Sequence, residues 1–215
     1  MSKRNVEAAV FDVDGMLLDT REFILQAYEH TLETHGYPVP DRAAISQHMG
    51  RSLETCYLAL VPDGKIEVLC DTHHEFQAGK MDLILGYEGL HDMLDTLRNA
   101  NIALGAFSSR GSNLIPSLQN AGIAEYFGAI VHADDVVEHK PHPEGLLKIL
   151  DTLAVSPTKA AMLGDAAVDI EAGKAAGVAL TVGITHGFGT RETLERAQPD
   201  HIVNSLKEIP PLLLD

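Results

Sequence analysis

Val6-Glu7-Ala8-Ala9-Val10-Phe11-Asp12-Val13-Asp14-Gly15 is an apolar run that stops at two carboxylates and a glycine. A short continuous apolar run bounded by a turn residue reads as a strand buried on both faces, as in parallel sheets. Open α/β sheets bind ligands just beyond the carboxyl ends of their strands. Asp12 and Asp14 stand at that edge, and their side chains share a face if the strand continues through them. Close carboxylates repel, and one pKa rises unless a cation sits between them. Hard oxygen ligands with few protein groups suit magnesium. Gly15 allows a sharp turn and a close approach of backbone amides to a ligand. By itself Asp-x-Asp-Gly also suits a surface turn. A calcium loop would need further oxygen ligands, which Met16-Leu17-Leu18 does not supply.

Downstream, the pattern first turns helical. Asp19 or Thr20 can cap a helix through Leu32 that stops at Gly36. Asp41 caps a short helix to about His48, Ser52 caps another, and a fourth runs from about Lys65 to Lys80. No strand-like run occurs between Gly15 and Asn101, so residues 18–84 read as an all-helical insert, a cap, and residues 1–17 with 85–215 as the core. From Gly86 helices and strands alternate. Strands are expected at Ile102–Phe107, Gly128–His132, Lys159–Asp165, Val178–Gly183 and His201–Val203. Helices are expected at Leu90–Arg98, up to Ala121, at Pro143–Leu153, Ala167–Ala176 and Arg191–Ala197, with a frayed one at Leu206–Leu214. Such alternation specifies an α/β fold with a doubly wound parallel sheet.

The chain has 215 residues, 45% of them hydrophobic, and a net charge of -15. That length allows one sizeable core with a small second lobe. The acidity argues against nucleic acid and anionic membrane surfaces as partners, and it requires that any phosphate be held by local positive groups. No apolar run approaches a membrane span. Cys56 and Cys70 form no metal-ligand spacing, and a cytoplasmic location is expected. A monomer or a homodimer fits equally.

Four expected strands end in polar groups: Asp12 and Asp14, then Ser108, then the loop carrying Lys140, then Asp165 with Asp169 four residues on. Singly, each has an ordinary explanation: a helix cap, a solvated lysine, acids favouring a helix dipole. As neighbours in one sheet they gather carboxylates, a hydroxyl and an ammonium around one cavity, as phosphoryl transfer requires. A carboxylate can attack phosphorus, and a second carboxyl can pass protons to the leaving oxygen and from water.

These motifs resemble those of the haloacid dehalogenase superfamily phosphatases, over essentially the whole chain. Asp12-Val13-Asp14-Gly15 is similar to that family's first motif, Ser108 to its second, Lys140-Pro141 to its third, and Gly164-Asp165 with Asp169 to its fourth. The helical insert is similar to its small cap. The resemblance implies a Rossmann-like core, Mg2+ as cofactor and a small phosphorylated metabolite as substrate. It implies Asp12 as nucleophile and metal ligand, and Asp14 as general acid/base that also offers its backbone carbonyl to the metal. Ser108 and the Ser109 amide would hold the phosphoryl group, Lys140 would pair with Asp12 and the phosphoryl oxygens, and Asp165 and Asp169 would bind metal. Departures are Met16 where threonine is frequent, and Ser108-Ser109-Arg110 where many relatives have Thr-Asn-Lys. The second puts leaving-group specificity in question and places Arg110 on the substrate side, with Gly15. Arg51, in a cap turn, is a candidate grip on the leaving group. The histidines are expected to be structural. The tail Thr181–Arg191 with Pro199–Val203 resembles phosphoglycolate phosphatases. Alternatives are a phosphomutase of the β-phosphoglucomutase type, a pyrophosphatase or nucleotidase, and a non-catalytic binding protein.

Overall fold

The computed structural model describes residues 6–48, 52–111 and 113–214. Along the chain these form β1 (Ala8–Phe11), β2 (Leu18–Asp19), α1 (Arg21–Thr34), α2 (Arg42–Ser46), α3 (Leu53–Leu60), α4 (Ile66–Ala78), β3 (Leu85–Gly86), α5 (Leu90–Asn99) and β4 (Ala103–Phe107). They continue with α6 (Leu114–Asn120), β5 (Ala129–Val131), α7 (Glu144–Thr152), β6 (Ala160–Gly164), α8 (Ala167–Ala176), β7 (Leu180–Ile184), α9 (Arg191–Ala197), β8 (His201–Val203) and α10 (Ile209–Leu214).

Six strands form one parallel sheet in the order β5-β4-β1-β6-β7-β8. The four residues of β1 are fully buried because the strand lies mid-sheet and helices cover both faces. Alternation divides them. Ala9 and Phe11 join one apolar cluster, with Leu94 and Leu97 of α5, and Ala8 and Val10 join the other, with Ile149 and Leu150 of α7. On α5 the buried positions are Leu90, Met93, Leu94 and Leu97, the one-face spacing of an amphipathic helix. On the opposite face, Gly105 of β4 admits α7 closely, since a Cβ there would collide with Ile149. Register places Phe11 beside Ala106 and Leu163, so Asp12, Ser108 and Asp165 leave the sheet at the same edge.

Helices α1, α3 and α4 pack around their own cluster, which includes Leu25, Tyr28, Tyr57 and Leu69. Asp41 and Ser52 cap α2 and α3 as their positions predict, accepting from the Ala44 and Thr55 amides. At α1 the Asp19 carboxylate takes the Arg21 amide, while Thr20 makes no side-chain cap bond.

The structure corrects the expected absence of strands between Gly15 and Asn101. β2 and β3 pair antiparallel, Leu18 with Gly86 and Asp19 with Leu85, where the chain leaves the sheet and returns. Two-residue strands carry no periodic signal, and their pairing depends on a contact across the whole insert. The C-terminus is also more ordered than expected. A 3-10 turn at Leu206–Glu208 leads into α10, where Pro210 and Pro211 occupy the first turn and forfeit only amides that lack helical partners there. No helix among the described residues is long and apolar enough to cross a membrane.

Candidate active site

At the common sheet edge, β1, β6 and the start of α8 bring Asp12, Asp165 and Asp169 together, each buried, with one carboxylate oxygen from each within 4.8 Å of the others. Lys140 reaches in from the loop after β5. Its Nζ donates to Asp12 Oδ1 at 2.6 Å, Asp169 Oδ1 at 2.8 Å and the Phe107 carbonyl at 3.0 Å, which uses all three ammonium protons. One ammonium among three carboxylates leaves net negative charge on buried groups. Burial raises Asp12 well above the ordinary carboxylate range; Lys140 opposes the rise, and Asp169 and Asp165 add to it. Burial and Asp169 push Asp165 up to about 7, against the lowering effect of the Phe188 and Gly189 amides. Burial alone would pull Lys140 down, but Asp12 and Asp169 raise it. Three buried, hard, mutually repelling oxygen donors with a charge deficit fit Mg2+.

Asp14 is not part of that cluster. β1 ends at Phe11, and the chain turns at Gly15, whose φ is +84°. The shared face expected for Asp12 and Asp14 is therefore lost, and their carboxylates point to different partners. Asp14 accepts from Ser108 Oγ at 3.3 Å and from Arg110, whose Nε lies 3.0 Å from Oδ2 while Nη2 binds Oδ1. Arg110 is itself fastened, donating to Ser117 Oγ at 2.5 Å and lying over the Phe23 ring at 5.3 Å. Ser108 Oγ also accepts the Arg110 amide at 3.0 Å, a local turn at the strand end.

A cavity of about 410 Å³ opens over these groups and extends under the cap helices. Ser109 and Arg110 line it, while Gly15 packs behind Asp165. Arg51 and its turn lie outside the described residues. The paired histidines diverge as expected, their rings perpendicular. His73 Nδ1 meets Tyr57 Oη at 2.8 Å, and burial lowers its pKa to about 3.

Sequence reasoning read the segment after β7 only as a family resemblance and missed its hold on Asp165. The Phe188 and Gly189 amides donate to Asp165 Oδ2 at 2.5 and 3.4 Å. Arg21, at the start of α1, holds this segment through the Gly187 carbonyl at 2.9 Å and lies 5.1 Å from the Phe188 ring centroid. Tyr87 stacks on His186 at 3.8 Å, and His186 Nε2 contacts the Met16 carbonyl at 3.0 Å. The signal available was glycine at 187 and 189, a few residues beyond a buried strand.

The chain is similar to known proteins in sequence and in fold. Pyrophosphatase PpaX of Bacillus pumilus (strain SAFR-032) is 31% identical over 212 residues, spanning 97% of this chain and 97% of that protein. Its counterpart in Bacillus cereus (strain AH820) is 29% identical over 212 residues, 98% of this chain and 97% of that one. The crystal structure of a haloacid dehalogenase-like hydrolase from Bacteroides fragilis matches with a TM-score of 0.86 at 27% identity, covering 95% of this chain and 99% of that one. The sequence profile described as Haloacid dehalogenase-like hydrolase matches residues 9–182, and the chain belongs to that family.

Proposed function

We propose that this chain is a Mg2+-dependent phosphatase that hydrolyses a small phosphorylated metabolite through an aspartyl-phosphate on Asp12. The observation that carries this reading is Asp12 itself: a buried carboxylate at the floor of a cavity, 2.6 Å from Lys140 Nζ and clustered with two further aspartates.

Asp12, Asp165 and Asp169 would hold the ion with the Asp14 carbonyl, and the ion would neutralise phosphoryl oxygens and keep the carboxylates ionised. An Asp12 oxygen attacks phosphorus, and the bond to the leaving oxygen breaks as Asp14 delivers a proton to it. In the second half, Asp14 takes a proton from water, the water oxygen attacks phosphorus, and the bond to Asp12 breaks to release phosphate. Lys140 orients the nucleophile and faces the developing negative charge. Ser108 and the Ser109 amide position the phosphoryl group. Because Asp14 is held by Arg110 in the structure, the same carboxylate must turn toward the substrate to act as an acid.

Two narrower substrates have support from outside the cavity. The tail sequence resembles phosphoglycolate phosphatases, and relatives of full length are named pyrophosphatase. Phosphate release from a panel of phosphorylated metabolites, with Mg2+ and with EDTA, tests the reading. Metal-dependent release of free phosphate is expected. Accumulation of a sugar bisphosphate without phosphate would establish a phosphomutase instead.

A further inference from the structure

Phe107 ends β4 with its side chain buried in the apolar cluster that includes Val10 and Leu146. A buried ring at a strand end is ordinary core packing. Two contacts go beyond it. The Phe107 carbonyl accepts from Lys140 Nζ at 3.0 Å, and the same Nζ lies over the Phe107 ring, 4.9 Å from its centroid. Room for the ring comes from α7, where a Cβ on Gly145 would collide with it. Glycine weakens a helix, and here it admits the ring that underlies the lysine.

The Lys140 side chain is 2% exposed, so its charge has protein partners in place of water. A cation over a ring face is attracted by the ring quadrupole, most strongly where water is excluded. The partners differ in what the proposed reaction does to them. Asp12 spends its carboxylate charge when it bonds to phosphorus, and Asp169 also serves the metal. The Phe107 carbonyl and ring take no part in bond making or metal binding, so their hold on the ammonium is the same at every stage.

We infer that Phe107 is a positioning residue for Lys140, its carbonyl and ring together keeping the ammonium aimed at Asp12 and the phosphoryl oxygens through both halves of the reaction. This rests on the phosphatase reading above. A group that acts by aiming Lys140 at developing charge affects kcat more than KM.

The test places mono-, tri- and pentafluorinated phenylalanine at position 107 alone. Fluorine withdraws charge from the ring face and alters its size little, so the carbonyl contact and the packing are kept while the attraction for a cation fades. With Mg2+ and a phosphate monoester that the native chain turns over, kcat should fall stepwise along the series, by about tenfold with the pentafluorinated ring. KM should stay within about twofold, with thermal melting confirming the fold. The same three rings at Phe127, which packs on the other apolar cluster, should leave kcat unchanged. A flat kcat across the series at position 107 would overturn the inference, as would a rise in KM alone or an equal fall at position 127. A native chain that turns over no phosphate monoester would remove the phosphatase reading itself, and the inference with it.

Discussion

Arg110 holds Asp14 by both carboxylate oxygens, with Nε 3.0 Å from Oδ2 and Nη2 on Oδ1. The pair is largely shielded from water, with side-chain exposures of 9% and 15%. A planar fork on a carboxylate fixes orientation as well as charge. Arg110 therefore governs where Asp14 points before it moves to the leaving oxygen. Arg110→Ala should lower kcat by about 100-fold, the scale of a displaced general acid/base, and Arg110→Lys should recover only part. Unchanged kcat with a raised KM would return Arg110 to the substrate-binding role that its sequence position predicts.

The carboxylate cluster sets a pH dependence for the metal-free protein. Asp12 is raised well above its unfolded value of 3.8, and Asp165 is pushed from 3.8 to about 7. The folded state binds more protons than the unfolded state between these values. This contribution to stability is fully present below about pH 3.8 and is lost as pH rises through about 7. A divalent ion binds the deprotonated form and offsets the loss, by about 2.7 kcal/mol at one hundred times its dissociation constant. Added Mg2+ should raise the melting temperature more at pH 8 than at pH 5, measured by calorimetry against EDTA. An equal rise at both would contradict ion binding at these aspartates.

Arg21 reaches the cluster only through the segment after β7. It holds the Gly187 carbonyl, and the next two amides hold Asp165. Groups that orient metal ligands typically alter affinity by about 10- to 100-fold when removed. Arg21→Ala should weaken Mg2+ binding by about tenfold in a calorimetric titration while the fold is kept. Unchanged affinity would show that the segment holds Asp165 without Arg21.

Gly105 tests the packing of the sheet. A Cβ there would strike Ile149 of α7. Gly105→Ala should cost about 1–3 kcal/mol, the usual penalty of overpacking, read from the urea midpoint. A neutral or stabilising result would mean that α7 shifts freely on β4.

The sheet was legible because its signal is local: the β1 run is apolar to Phe11 and then abruptly acidic. The positions of Asp12, Asp165, Asp169 and Lys140 followed from strand ends meeting at one edge. What the sequence could not show depends on distant pairing or on backbone. Arg110 and Asp14 are 96 residues apart, and nothing local tells an arginine bound to a carboxylate from one bound to substrate. The hold on Asp165 comes from amides of Phe188 and Gly189, which carry no side-chain signature. β2 and β3 are too short for any pattern to register.

The central claim is that Asp12 is the nucleophile, and Asp12→Asn measures it most directly. The amide keeps the shape of the side chain but cannot attack phosphorus. With Mg2+ and a substrate that the native chain turns over, phosphate release by freshly purified Asp12→Asn should fall by about 1,000-fold or more, with circular dichroism and melting showing an intact fold. A folded Asp12→Asn protein whose rate stays within about tenfold of the native chain would contradict the account.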